Sequence, residues 1–366
     1  MQIPFVDLKE QYQSLKPAID AAIHQCLDTT SFVGGPLVAT FEKAFASYLG
    51  VGHCIGCANG TDSLEIIMKA LGIGAGDEVI VPACSWISTS ETVTAVGAKV
   101  VFADILPEYY TIDPADIERK ITARTKAIIP VHLYGLPASM PEIVEIANKN
   151  GIHVIEDCAQ SHGAAVEGKM VGTFGIAASF SFYPGKNLGA YGDAGAMVTN
   201  DAQLARTLRM IANHGQEGKH NHQIEGRNSR LDSMQAAILS VKLPHLPEWT
   251  AKRQANAAYY EKALGTMVQT PKAPKGYSHV YHVYEIQVPN REEMISKLEQ
   301  AGIQTAIHYP TPMPFMPAYA HYGHKRSDFP VAAAQMDRIL SLPMYPELKP
   351  EQIDYVAEQI RKSLKA

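Results

Sequence analysis

No stretch of the chain approaches the roughly 18 consecutive apolar residues of a membrane-spanning helix, and the N-terminus already carries Asp7, Lys9 and Glu10. A membrane anchor and a cleaved leader are therefore not expected, and the reading is of a cytoplasmic protein. Long basic runs are missing too, and the formal net charge is −5 over 366 residues. That balance excludes nucleic acid as an expected partner, so a phosphate-bearing ligand must be met by local positive charge. Cysteine is scarce and odd in number, five in all, which is no disulfide framework. Cys54 and Cys57 form a Cys-x-x-Cys, but no second pair accompanies them to build a zinc or redox site. His214, His220 and His222 likewise lack the cysteine or tight carboxylate set that would complete a metal shell, so no metal is expected. Internal repeats and low-complexity tracts are absent.

What the chain does have is apolar residues, 46% of the total, enough for a large core and one large domain with a smaller companion. Leu37, Phe41, Phe45 and Leu49 recur four apart as one stripe of an amphipathic helix. From Gly74 onward short apolar runs alternate with helical stretches. Buried strands are expected at 78–81, 99–103, 126–131, 153–155, 178–182 and 196–199. Asp113 can cap a helix with Pro114 at its first position, and Ser139 to Gly151 reads as a helix with a capping serine and a closing glycine. Such alternation predicts an α/β fold, a mostly parallel sheet covered by helices, with ligands bound beyond the strand C-termini. Past Pro244 and Pro247 the pattern changes. A long polar helix runs to Leu264, Tyr284, Ile286 and Val288 alternate as in a half-buried strand, and Asn290 with Glu293 reads as a capping box. A last helix carries Ile353, Val356, Ile360 and Leu364 on one stripe. The expected division is a large domain over 13–249 and a small α/β domain over 250–366, completed by residues 1–12.

One stretch offers chemistry. In Ser179-Phe-Ser-Phe-Tyr-Pro-Gly-Lys-Asn-Leu-Gly-Ala-Tyr-Gly-Asp-Ala-Gly195 a single lysine, Lys186, follows Pro184-Gly185 and precedes glycines at 189, 192 and 195. An isolated Gly-Lys pair reads first as a surface lysine. Buried in a pocket, however, such an amine loses part of its proton affinity and can attack a carbonyl to form a Schiff base. Upstream, Val154-Ile155-Glu156-Asp157 reads as a buried strand delivering Asp157 at its C-terminal end. A carboxylate there is a helix cap or the partner of a pyridine nitrogen. Asn59-Gly60-Thr61-Asp62-Ser63-Leu64 opens a helix whose free N–H groups suit a phosphate. Acid, lysine and phosphate cradle together match pyridoxal 5'-phosphate (PLP). The polar loop 213–232, with Lys219, His220, His222, Arg227 and Arg230, matches a diphosphate.

These segments carry a resemblance. With Phe5-Val6-Asp7-Leu8, Gly76-Asp77-Glu78-Val79-Ile80-Val81-Pro82, Glu156-Asp157-Cys158-Ala159-Gln160, Ser181-Phe182-Tyr183-Pro184-Gly185-Lys186-Asn187-Leu188-Gly189, Asn228-Ser229-Arg230-Leu231-Asp232 and His308-Tyr309-Pro310, the chain resembles the DegT-type sugar aminotransferases over essentially its whole length. The resemblance implies a type I PLP-transferase fold with a seven-stranded sheet and a smaller C-terminal domain. It implies a ping-pong transfer of an amino group from L-glutamate to a keto sugar of a nucleoside diphosphate, the 3-keto position favoured over the 4-keto, for surface polysaccharide or secondary metabolites. Lys186 would hold PLP and shuttle the proton, and Asp157 would hold the ring nitrogen. Gln160 would bond the ring hydroxyl and Trp86, otherwise readable as a core aromatic, would stack on the ring. Gly60, Thr61 and Ser181 would hold the phosphate, with Asn228 supplied by the second subunit of a homodimer. Tyr183, Lys219, His220, Arg230, His308 and Tyr309 are the candidates for substrate contact. Pro314, Phe315 and Met316 depart from the family's usual histidine, leucine and glutamine, so that triplet says nothing here about the sugar. Relatives that dehydrate sugars replace the lysine, which Lys186 argues against. A catalytically silent regulator and a PLP enzyme of amino acids alone are the other readings; the second lacks a well-placed arginine in the C-terminal part.

Overall fold

The computed structural model describes residues 1–365. Its centre is a seven-stranded sheet whose strands lie in the spatial order 53–57, 195–199, 177–181, 153–157, 125–128, 78–82 and 99–103. The strands are β1 (His53–Cys57), β2 (Glu78–Pro82), β3 (Lys99–Ala103), β4 (Thr125–Ile128), β5 (His153–Asp157), β8 (Ala177–Ser181) and β9 (Gly195–Thr199). Only β9 runs against its neighbours, β1 and β8. The other pairings are parallel, which requires crossovers. Helices α3 (Gly60–Ala70), α4 (Ser88–Ala95), α5 (Pro114–Lys120), α6 (Met140–Asn150) and α7 (Ala202–Ala212) supply or flank them. The expected strands are all present, with β4 ending at Ile128, short of the expected Val131. Pro130 explains the stop, since it has no N–H to give a ladder.

Before the sheet come α1 (Leu8–Asp28) and α2 (Pro36–Leu49). Phe41 and Phe45 of α2 are fully buried, edge-on to Phe182 just past β8 and to Phe180 within it. Each contributes about 1.5–3 kcal/mol by burial, fixing α2 across the strand that leads to Lys186. Helix α6 closes on Gly151 in the left-handed conformation as expected, but Ser139 makes no side-chain cap bond.

Beyond α8 (Ser233–Lys242) and α9 (Leu246–Leu264) lie α10 (Arg291–Gln300), α11 (Pro330–Gln335), α12 (Pro350–Lys365) and the paired strands β11 (Tyr284–Gln287) and β12 (Ile339–Leu342). Ile3 pairs with Ile303 and joins an apolar cluster with Tyr260, Ile286, Leu298, Ile353 and Ile360. Met313, Tyr319, Phe329 and Ala332 instead pack into the core of the large sheet. A second crossing is made by two-residue strands, β6 (Ala165–Val166) between β7 (Lys169–Met170) and β10 (Tyr277–Ser278).

Two local expectations fail. Asn290 takes a left-handed conformation with φ 50° and makes no cap bond, so the capping box with Glu293 is absent. And β11 is buried on both faces, Glu285 and Gln287 included. The face expected to meet water is covered, with Tyr110 bonding Gln287 and Ser341 bonding Glu285.

Candidate active site

The C-terminal ends of β1, β2, β5 and β8, and the start of antiparallel β9, open on one rim of the sheet. At that rim Asn59 caps α3, its Oδ1 accepting from the Asp62 N–H at 2.8 Å and its carbonyl from Ser63 at 3.2 Å. The remaining first-turn amides, Gly60 and Thr61, have no intrahelical acceptor, which is the arrangement that suits an anion. A Cβ on Gly60 would lie 2.8 Å from Ser181 Cβ, and one on Gly195 2.5 Å from the Asn59 carbonyl carbon. These two glycines let the start of α3 press against the ends of β8 and β9. The Thr61 hydroxyl reaches Ser88 Oγ at 2.7 Å.

Asp157 ends β5 and is 5% exposed. One carboxyl oxygen accepts from the Ala159 N–H at 3.1 Å, the other from Thr89 Oγ1 at 3.0 Å. Burial raises its pKa against the pull of these bonds and of Lys186. Lys186 sits on a turn closed by its own N–H to Tyr183 O at 2.8 Å. Protein crowding pushes its amine down to about 8, with Asp157 opposing. His162, His308 and His282 feel the Lys186 charge and are kept neutral. Burial and the Lys186 charge hold His162 at about 3 and His308 at about 4, and put His282 well below its ordinary value. The site therefore holds a lysine near its titration point beside a buried, sparsely bonded carboxylate.

The substrate-side candidates divide. Trp86 and Tyr183 are each 58% exposed, so Trp86 is no core aromatic. Its ring lies 5.6 Å from that of Tyr309. Tyr309 accepts from Gln160 Nε2 at 3.0 Å, while Gln160 Oε1 accepts from the Tyr134 N–H at 2.6 Å. Both ends of the Gln160 amide thus have protein partners, and Nε2 keeps a second N–H. His308 joins the same group, its carbonyl taken by the Tyr134 hydroxyl. Lys219 and His220 instead stand on an exposed turn closed by the Gln216–His222 bridge. Asn228 is exposed and pairs with Asn213, and Arg230 Nη1 lies 3.5 Å from Asn213 Oδ1. Arg227 pairs with Asp62 at 2.9 Å and Glu65 at 2.8 Å on α3.

Sequence reading missed the supports. Thr89 orients Asp157, Asn187 ties the Lys186 turn to Val280 O and His282, and buried Lys242 holds Gly189 O. No spacing announces them, because each partner is remote in sequence. Elsewhere, His132, Glu156 and Cys158 cluster within 4.8 Å. Glu156 there accepts from the Gly172, Phe174 and Gly175 N–H groups and bonds His132, which reads as a loop anchor. A groove of about 650 Å³ at the β1 edge includes Arg206 and Arg209, both already paired, with Glu217 and Glu42.

The model of the DegT/DnrJ/EryC1/StrS aminotransferase family matches residues 13–361. The chain belongs to that family. It is 47% identical over 363 residues to a UDP-N-acetyl-3-dehydro-alpha-D-glucosamine 3-aminotransferase of Acidithiobacillus ferrooxidans, covering 99% of this chain and 98% of that protein. It is also 47% identical over 364 residues, 98% of each chain, to a pleiotropic regulatory protein of Geobacillus stearothermophilus. The crystal structure of S. venezuelae DesV in complex with a ketimine intermediate superposes with a TM-score of 0.97 at 41% identity, covering 100% of this chain and 99% of that one. DegT/DnrJ/EryC1/StrS aminotransferases use PLP, and the residues here fit it. Free amides on Gly60 and Thr61 suit its phosphate, Asp157 lacks the cation a pyridinium would supply, and the Lys186 amine is poised to meet its aldehyde.

Proposed function

We propose that the protein transfers an amino group from L-glutamate to a keto sugar of a nucleoside diphosphate, at the 3-position, as a cytoplasmic homodimer. The observation that carries this reading is that Lys186 and Asp157, each acting on the other's charge, lie at the strand ends beside the open start of α3. The 3-position rests on the likeness to the 3-aminotransferase from A. ferrooxidans. PLP, when bound, supplies an electron sink for the pair left at the donor's Cα as its proton departs.

The chain's own residues do the rest. Lys186, near its titration point, takes the Cα proton on Nζ and returns it to the cofactor side. Asp157, held by Thr89 and the Ala159 N–H, keeps its charge against the ring nitrogen. Gly60, Thr61 and Ser181 bind the phosphate, with Asn228 reaching it from the partner protomer. Trp86 would cover the ring, and Gln160, which also bonds Tyr309, would bond the ring hydroxyl. Tyr183, His308, Tyr309, Lys219, His220 and Arg230 are assigned to the sugar nucleotide, Lys219 and His220 on an exposed segment that suits a site completed between subunits. We assign residues 13–249 to the large domain and 250–366 with 1–12 to the small one, on the strength of the separate cluster around Ile3 and Tyr260.

The test is to incubate the PLP-loaded protein with L-glutamate and UDP-N-acetyl-3-dehydro-α-D-glucosamine, following the amino sugar by mass spectrometry. Formation of the 3-amino product supports the reading; no product with this sugar or with a dTDP-linked 3-keto sugar would sink it. The likeness to a pleiotropic regulatory protein favours a second reading, a regulator on the same scaffold. That version predicts no turnover with any keto sugar.

A further inference from the structure

His308 belongs to the segment that closes the site beside Tyr309, and what holds its ring lies outside the site. Ala306 pairs with Ser341 of β12 through two backbone bonds, Ala306 N–H to Ser341 O at 3.2 Å and Ser341 N–H to Ala306 O at 2.8 Å. Two residues on, His308 Nδ1 lies 2.8 Å from Ser341 Oγ. Ser341 Oγ in turn bonds Glu285 Oε2, its cross-strand partner on β11. Ser341 and Glu285 are 0% and 1% exposed, and Glu285 Oε1 has no partner among the described residues.

The number of protons on this chain decides its direction. An ionised Glu285 would leave one carboxylate oxygen buried and unbonded, an arrangement that costs several kcal/mol. Arg291 on α10 acts on it from a distance, and burial outweighs it, driving the carboxyl well above its usual range. Tyr110, Tyr134 and His279 line the small cavity beside Glu285, with Lys272 and Glu108 at its edge. Glu285 therefore stays a neutral acid, keeping its proton on the carboxyl and directing that O–H at Ser341 Oγ as a hydrogen-bond donor. The serine has one proton of its own, which must then point at His308 Nδ1. His308 is neutral, since burial and the Lys186 charge depress it, so its single ring proton falls on Nε2.

We propose that Glu285 and Ser341 are positioning residues that fix the His308 ring with Nε2 as a hydrogen-bond donor to an acceptor oxygen of the bound sugar nucleotide. The ligand half of this statement rests on the function proposed above; the tautomer does not. Phe5 stacks on the ring at 5.7 Å and Tyr309 meets it edge-on at 5.4 Å, holding its plane while the relay sets its proton.

The experiment is nitrogen NMR of the PLP-loaded protein labelled at the histidine imidazoles, with His308→Gln to assign the signal. The expected spectrum at pH 7 has Nδ1 bare and Nε2 protonated in the parent. Glu285→Gln keeps that pattern, because its amide can donate to Ser341 as the neutral acid does. Ser341→Ala gives a mixture of tautomers. A parent ring protonated on Nδ1, or a Ser341→Ala spectrum identical to the parent's, overturns the proposal. In kinetics, Ser341→Ala should raise the KM for UDP-N-acetyl-3-dehydro-α-D-glucosamine about tenfold, the scale of one lost hydrogen bond, with the glutamate half-reaction within about twofold of the parent. Equal loss in both half-reactions would mark a merely structural role and reject it. Should the parent itself fail to react with glutamate, the aminotransferase reading falls, while the imidazole spectrum still decides the relay.

Discussion

Lys242 Nζ donates to the backbone oxygen of Gly189 at 2.7 Å, three residues past Lys186, from a side chain that is fully buried. The same ammonium lies 4.2 Å from the centre of the Tyr191 ring. Burial pushes its pKa from 10.5 down to about 8, Glu347 opposing. Since the folded value is depressed, the unfolded chain binds the extra proton between pH 8 and 10.5, and stability rises with pH across that window. Lys242→Met removes the effect. The stability of the parent minus that of the variant should therefore rise from pH 8 to 10.5 by on the order of 3 kcal/mol, read by denaturant unfolding. A gap that stays flat over this range contradicts the burial argument.

Gly60→Ala should damage both fold and cofactor site. Its Cβ would press on Ser181 Cβ at 2.8 Å, at a cost of about 1–3 kcal/mol, and would narrow the space before the free amides of α3. A lower melting temperature and PLP binding weakened about tenfold are expected. Unchanged PLP affinity would move the phosphate away from α3.

Arg227 neutralises Asp62 and Glu65 at the start of α3. In Arg227→Gln Asp62 loses its cation while Glu65 keeps Lys69, and PLP affinity should fall about five- to tenfold at low salt. Added salt should recover part of it by screening, and Asp62→Asn in the same chain should recover more. Titrations at low and high salt check this; a loss indifferent to salt would mean that Arg227 touches the ligand itself.

The rate at which the apoprotein captures PLP should follow the neutral fraction of Lys186, whose pKa is about 8. Capture should climb about tenfold per pH unit below that value and level off above it. An exposed lysine of ordinary pKa would keep climbing beyond pH 10. Stopped-flow absorbance between pH 6 and 10 separates the two.

Much of this was legible along the chain wherever the decisive interaction was local. Apolar runs between helical stretches gave the strands, and a strand ending on Asp157 with a Pro-Gly-Lys turn after another gave the centre of the site. Illegible were contacts between distant segments. Arg227 in a polar loop shows no partner until α3 presents Asp62 and Glu65 to it. Gln160 shows none until Tyr134 and Tyr309 meet its two ends. Glu285 sits in an alternating strand as though facing water, and only packing against Tyr110 and Ser341 makes that face interior. Lys242 at a helix end reads as an ordinary basic C-terminal turn, with nothing local to say that its amine is buried against Gly189.

The most direct measurement is the visible spectrum of the protein with PLP, before and after L-glutamate, run beside Lys186→Ala. The account predicts yellow absorbance in the parent that bleaches with glutamate, and no lysine-linked absorbance in the variant. A parent spectrum that glutamate leaves unchanged, or a variant that matches the parent, would contradict the claim that Lys186 carries the chemistry.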